Sequence, residues 1–143
     1  MSFVDKQLLV TGASGNLGKA VVAELRRLGA KKVIAATRTP GKHQELATLG
    51  VEERETDFDR PETLETAFQG VERLLLISTD SLHAPDVRIK QHRAAIQAAV
   101  SAGVEHVVYT SLPNAIRRRD PRSRTIISGQ KSRYLRAGSI GRY

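Results

Sequence analysis

Three glycines, Gly12, Gly15 and Gly18, stand three residues apart in Thr11-Gly-Ala-Ser-Gly-Asn-Leu-Gly18. An apolar run, Leu8-Leu9-Val10, leads into them, and a helical pattern follows directly. In a strand-to-helix turn the first glycine permits the tight bend. The second lets a pyrophosphate approach the backbone, and the third lets the helix pack close to the sheet. The new helix then offers free N–H groups and the positive end of its dipole to phosphate. Glycine spacing alone is weak evidence; here the flanking strand and helix that the chemistry requires are both present. Gly12, Ala13, Ser14, Gly15, Asn16, Leu17 and Gly18 are therefore the expected dinucleotide cradle.

A second position decides which dinucleotide. An NAD site places Asp or Glu about 20 residues beyond the glycines, at the end of strand two, to bind ribose hydroxyls. This chain has Thr37-Arg38 there, and no carboxylate before Glu45. A guanidinium can clamp a 2′-phosphate bidentately and stack on adenine. Lys42 adds charge nearby. NADPH is the expected cofactor. Position alone suggests further contacts: Asp57 and Phe58 at the adenine edge, Ser78 and Thr79 near a ribose, Thr110 and Ser111 on the nicotinamide side.

These residues need a scaffold. Residues 7–11 read as strand one, and a helix from Asn16 to Leu28 carries Leu17, Val21, Leu25 and Leu28 on one stripe. Lys32–Thr37 is apolar without alternation, as in a buried parallel strand. Thr39-Pro40 is expected to open a second helix, with Leu46 and Leu49 inward. Val51–Thr56 is a polar third strand. Asp59 and Glu62 have capping-box spacing ahead of a helix burying Leu64, Ala67 and Phe68. Residues 73–77 and 106–110 are strands four and five. A long helix over 86–102 lies between them, with Ile89, Ile96, Ala99 and Val100 inward. Gly29, Gly50, Gly70 and Gly103 each end a helix just before a strand. The alternation predicts an α/β fold, a Rossmann-type doubly wound parallel sheet of order 3-2-1-4-5, with the cofactor across the strand ends where the order reverses.

The 143 residues allow one domain, and the absence of cysteine excludes disulfides and thiolate metal sites. No run of the sequence is long and apolar enough to span a membrane, and the N-terminus is not a signal peptide, so a cytoplasmic protein is expected. The net charge of +8 is unevenly placed. Residues 1–113 hold 14 Lys/Arg and 14 Asp/Glu, whereas residues 114–143 hold nine Lys/Arg against Asp120 alone. The body is neutral and the tail is basic. The histidines are isolated, the carboxylates are scattered, and no nucleophile-elbow pattern occurs.

Taken together, Thr11–Gly18, Thr37-Arg-Thr-Pro40, Leu75-Leu-Ile-Ser78, Gln91-His-Arg93 and Val108-Tyr-Thr-Ser-Leu-Pro113 resemble the NmrA-like branch of atypical short-chain dehydrogenases. The similarity is to the NADPH:quinone oxidoreductases of that branch and covers about residues 5–114. It implies an NADPH-binding Rossmann domain, hydride transfer to a quinone, and a chain about twice this length. It also implies an alternative, a non-catalytic NADP(H)-binding redox sensor. No Tyr-x-x-x-Lys pair is present: Pro113 and Gly138 stand where the lysine would follow Tyr109 and Tyr134. A tyrosine acid with a lysine beside it is thus unsupported, and the catalytic residues are unknown.

Residues 1–113 are accordingly expected to form the nucleotide-binding domain, incomplete at its C-terminus. Residues 114–143 are expected to be a disordered or non-native tail, with no helical stripe and little strand alternation. A frameshifted or truncated gene product is the expected explanation of the abrupt change to Arg, Ser, Gly and Ile. A basic arm contacting nucleic-acid phosphates is the rival, and the scarcity of stacking aromatics argues against it. An uncovered face of strands four and five would favour self-association and a marginal, aggregation-prone monomer.

Overall fold

The computed structural model describes residues 3–77, 85–110 and 134–137. In chain order the elements are β1 (Gln7–Val10), α1 (Asn16–Arg27), β2 (Lys32–Thr37), α2 (Gln44–Thr48) and β3 (Glu52–Glu55). They continue with α3 (Pro61–Ala67), β4 (Arg73–Leu76), α4 (Pro85–Ser101), β5 (His106–Thr110) and β6 (Tyr134–Ala137). All strand pairings are parallel, in the order β3-β2-β1-β4-β5-β6. The order 3-2-1-4-5 expected from the sequence is present, and β6 extends it. That last strand falls in the segment expected to be a disordered or non-native tail, where strand alternation is slight. Edge pairing to β5, with Val108 opposite Leu135, supplies the ladder that local preference did not advertise.

Register builds two apolar layers. Ile34, Leu9, Leu74 and Val107 lie side by side across β2, β1, β4 and β5. With Leu64 and Phe68, and with Ala95, Ala98 and Ala99 of α4, they form one buried cluster. Val33, Ala35, Leu8 and Val10 face the other way and meet Ala13, Val22 and Leu46. Thus α1 and α2 cover one face, and α3 and α4 the other. Strands covered on both faces carry uninterrupted apolar runs, as β2 does.

Some expected details are revised. Pro40 does not open a helix. Thr39-Pro40-Gly41-Lys42 is a turn with Lys42 N–H facing Thr39 O at 3.4 Å and Gly41 at φ +78°. Proline followed by a residue at positive φ is the type II pattern, so the glycine converts a helix-start signal into a turn. The Asp59–Glu62 capping box does not form either. Arg60 is the N-cap of α3, without a side-chain cap bond, and Pro61 takes the first helical position. Proline fixes the start one residue later and leaves Asp59 outside the helix.

The helix stripes are rotated relative to expectation. Leu17, Leu28, Ile89 and Val100 are exposed. In α4 the inward positions are small, so the helix settles close to the sheet on Ala95, Ala98 and Ala99. In α1, Val22 is buried while Val21 and Leu25 pack at the edge of the same cluster. The four helix-ending glycines all take positive φ, as expected.

Candidate functional site

The order of strands reverses between β1 and β4, and the chain is locked there by one side chain. Buried Thr11 sends its N–H to Leu75 O at 3.0 Å, and its Oγ1 accepts from Ile77 N–H at 2.9 Å. Beyond it the glycine turn begins. Gly12 sits at φ +60°, in the left-handed region that favours glycine. Gly15 N–H returns to Gly12 O at 3.0 Å, and Ala13 N–H reaches Ala36 O on β2 at 3.1 Å.

Gly18 has the strictest requirement. A Cβ built there would lie 2.1 Å from Gly12 O and 2.7 Å from Ala13 Cα. Both are backbone atoms, so no side-chain movement relieves the clash. Gly15 has more room, with Gly12 O at 3.4 Å from an added Cβ. The helix starts at Gly15 with no side-chain cap, and its first ladder bond runs from Lys19 N–H to Gly15 O. The amides of Asn16, Leu17 and Gly18 therefore precede the ladder and point out of the helix start. Three backbone donors are thus presented together at the helix start.

The turn forms one wall of a groove of ≈ 850 Å³. Gly12, Ser14 and Gly15–Gly18 line it, together with Ala36, Thr37 and Arg38 at the end of β2. Thr56, Asp57, Phe58 and Asp59 follow β3, and Ile77 and Gln91 close the far side. Ala13 is fully buried beneath the turn, where it packs against Val22 and its neighbours. Lys42 and Thr110 are not among the lining residues. Ser78, Thr79 and Ser111 lie outside the described residues.

Charges along the groove are sorted. Arg38 is exposed on the lip, and among the described residues no carboxylate pairs with it. Glu45, the nearest acid in sequence, forms an ion pair with Lys19 of α1. Asp57 is committed on several sides. Its N–H donates to Thr63 Oγ1 at 2.8 Å, its Oδ1 accepts from Asp59 N–H at 2.9 Å, and Arg60 Nε approaches Oδ2 at 3.4 Å. Arg60 also pairs with Glu55.

Two polar contacts, one in the groove and one beside it, were not singled out for a role from the sequence. Buried Gln91 donates from Nε2 to Asp59 Oδ1 at 2.8 Å, which ties α4 to the loop after β3. His43 turns its Nε2 toward Thr37 Oγ1 at 3.3 Å and Thr39 Oγ1 at 3.0 Å. Neither carries a motif: Gln91 is a single polar residue within α4, and His43 a single polar residue at the start of α2. His92 lies away from the groove. Its Nδ1 is 3.3 Å from the Tyr109 hydroxyl, and the rings meet edge to face at 5.4 Å. Burial, and secondarily the Arg88 charge, hold its imidazole below the ordinary value of 6.5.

Comparison with known proteins agrees with this architecture. A family model described as the NmrA-like family matches residues 4–132, past the point where the individual motifs end. Quinone oxidoreductase 2 of Escherichia coli (strain K12) is 41% identical over 109 residues, covering 76% of this chain and 37% of that protein. The crystal structure of Citrobacter sp. triphenylmethane reductase complexed with NADP(H) superposes with a TM-score of 0.73 at 38% identity, over 82% of this chain and 41% of that one. The crystal structure of the Escherichia coli NADPH-dependent quinone oxidoreductase complexed with NADPH gives 0.67 at 41% identity, over 74% and 37%. The chain spans little more than a third of the length of the curated relatives it matches. On the glycine turn, the sheet order and the family match together, the chain belongs to the NmrA-like family.

Proposed function

We propose that this chain binds NADPH and serves hydride transfer to a small-molecule acceptor of the quinone class. The observation that carries the proposal is the placement of the glycine turn and Arg38 on one groove, with no carboxylate among the described residues paired with the guanidinium. A side chain at Gly18 would strike the backbone of Gly12 and Ala13, so the glycine lets the turn close onto the start of α1 and leaves its amides at the groove. That suits a pyrophosphate, which accepts from the amides of Asn16, Leu17 and Gly18. Arg38 then binds the 2′-phosphate in a bidentate manner, and Lys42 adds positive potential from the adjacent turn. Asp57 and Phe58 border the adenine. Thr110, at the end of β5, is assigned to the nicotinamide side. Quinones and dyes reduced by NADPH-linked relatives are small, which supports a small acceptor.

Bound NADPH supplies the hydride. The chain's own contribution would be to hold the dinucleotide through the amides of Asn16, Leu17 and Gly18 and the Arg38 guanidinium. Positioning of this kind is the protein's share of the catalysis.

The test is NADPH oxidation followed at the nicotinamide absorbance with a series of quinones. The expected result is turnover that depends on both NADPH and quinone and falls when Arg38 is replaced. Binding of NADPH without turnover would favour the non-catalytic sensor reading instead. Absence of binding would overturn the proposal.

A further inference from the structure

Arg38 is useful for selecting a phosphorylated ribose only if its backbone is held still. The three residues Thr37-Arg38-Thr39 leave the sheet at the lip of the groove. Thr37 is buried as the last residue of β2, whereas Arg38 and Thr39 are exposed. Free of other restraint, such a segment would move with the turn that follows. It is restrained. Thr39 N–H donates to Thr37 Oγ1 at 3.3 Å, and the His43 imidazole bridges the same hydroxyl and that of Thr39. The two threonines flanking the arginine are thus tied to one ring nitrogen.

The next residues complete the clip. Thr39-Pro40-Gly41-Lys42 is a tight turn, and Gly41 N–H points to Glu53 Oε1 of β3 at 3.3 Å. His43 occupies the N-cap of α2, yet makes no side-chain cap bond there. Its ring is turned back toward β2 instead. A capping role therefore does not account for it.

We propose that His43 is a positioning residue for cofactor selection: by bracketing Thr37 and Thr39 it pre-sets Arg38 for the 2′-phosphate. The inference rests on the proposed role of Arg38. Loss of the bracket leaves the guanidinium chemistry intact but makes binding order a loose segment, at the usual cost of immobilising an interfacial group. NADH lacks the phosphate, so its affinity does not report on that segment. His43 therefore acts on the ratio of affinities and not on dinucleotide binding in general.

The experiment is calorimetric titration of NADPH and NADH at one pH into the unaltered chain and the His43→Ala, His43→Gln and Arg38→Ala variants. His43→Ala is expected to weaken NADPH about 2- to 10-fold with NADH unchanged. His43→Gln, whose amide nitrogen can occupy the Nε2 position, is expected to restore most of the loss. Combined with Arg38→Ala, the His43 change should add nothing, since coupled groups are not additive. Should His43→Ala fail to fold, His43→Asn serves, because its shorter amide cannot reach both hydroxyls; it should behave as a loss variant. An unchanged NADPH/NADH ratio in the loss variants, or equal weakening of both cofactors, overturns the inference while Arg38→Ala still abolishes the preference. No preference in the unaltered chain overturns the role of Arg38 and the inference with it.

Discussion

Across one face of the sheet, Ala35, Val10, Leu75 and Val108 lie in register, and their surroundings differ from one end to the other. Ala35 and Val10 are closed to solvent beneath α1 and α2. Leu75 and Val108, on β4 and β5, are half-buried. On the opposite face Leu74, Leu76 and Val107 are all covered by α3 and α4. The half of the sheet that carries the glycine turn and Arg38 is therefore packed on both faces by described elements. The β4–β5 half is fully packed on one. Packing on both faces is thus concentrated beneath the turn whose backbone donors are proposed to meet phosphate.

Breaking that comparison begins at the glycine turn. Gly18→Ala places a Cβ against backbone that cannot retreat, so loss of dinucleotide binding and destabilisation of at least the 1–3 kcal/mol typical of overpacking are expected. Denaturant unfolding and an NADPH titration measure both. A control in open space, Gly29→Ala, has only its φ of +89° to satisfy, and should cost about 1–2 kcal/mol and spare binding.

The two faces of β4 give the next largest effect. Leu76 is 1% exposed, so Leu76→Ala should cost about 2–5 kcal/mol in chemical denaturation. Leu75→Ala, on the half-buried face, should cost less than half as much. Equal losses would show that the Leu75 face is as well covered as its opposite.

A smaller effect is expected with pH. His92 has a folded-state pKa below its ordinary 6.5, through burial and then Arg88. As pH falls through 6.5 the unfolded chain takes up the proton first, so stability is full above that value. It declines below it until the folded value is passed. Urea unfolding at pH 7.5 and 5.5 should show a decline, up to about 1 kcal/mol of which disappears in His92→Gln.

Much of this was legible in the chain. The β2 boundaries, the strand order and the conformations of Gly12 and the helix-ending glycines follow from signals carried within a few residues: an apolar run, a glycine spacing, a helix-ending glycine. Gly12 and Gly18 are constrained by backbone geometry, which sequence spacing encodes directly. Pro40 misled because proline fits both a first helical turn and the second position of a type II turn; Gly41 was the deciding residue. Asp59 misled because Pro61 outranks a capping box in fixing the helix start. Ile89 and Val100 misled because the sheet selects alanines for close approach, which hydropathy ranks below isoleucine and valine. His43 and Gln91 were missed as site residues for a different reason. Their partners, Thr37, Thr39 and Asp59, come together only when β2, the turn and α4 are in place.

The most direct measurement is the affinity of the unaltered chain for NADPH against NADH, by calorimetry in one buffer. A charge-assisted pair at the 2′-phosphate is worth about 1.5–3 kcal/mol. The expected result is NADPH binding tighter by roughly 10- to 100-fold, a gap that closes in Arg38→Ala. Equal affinities, or a gap that survives the loss of Arg38, would contradict the account.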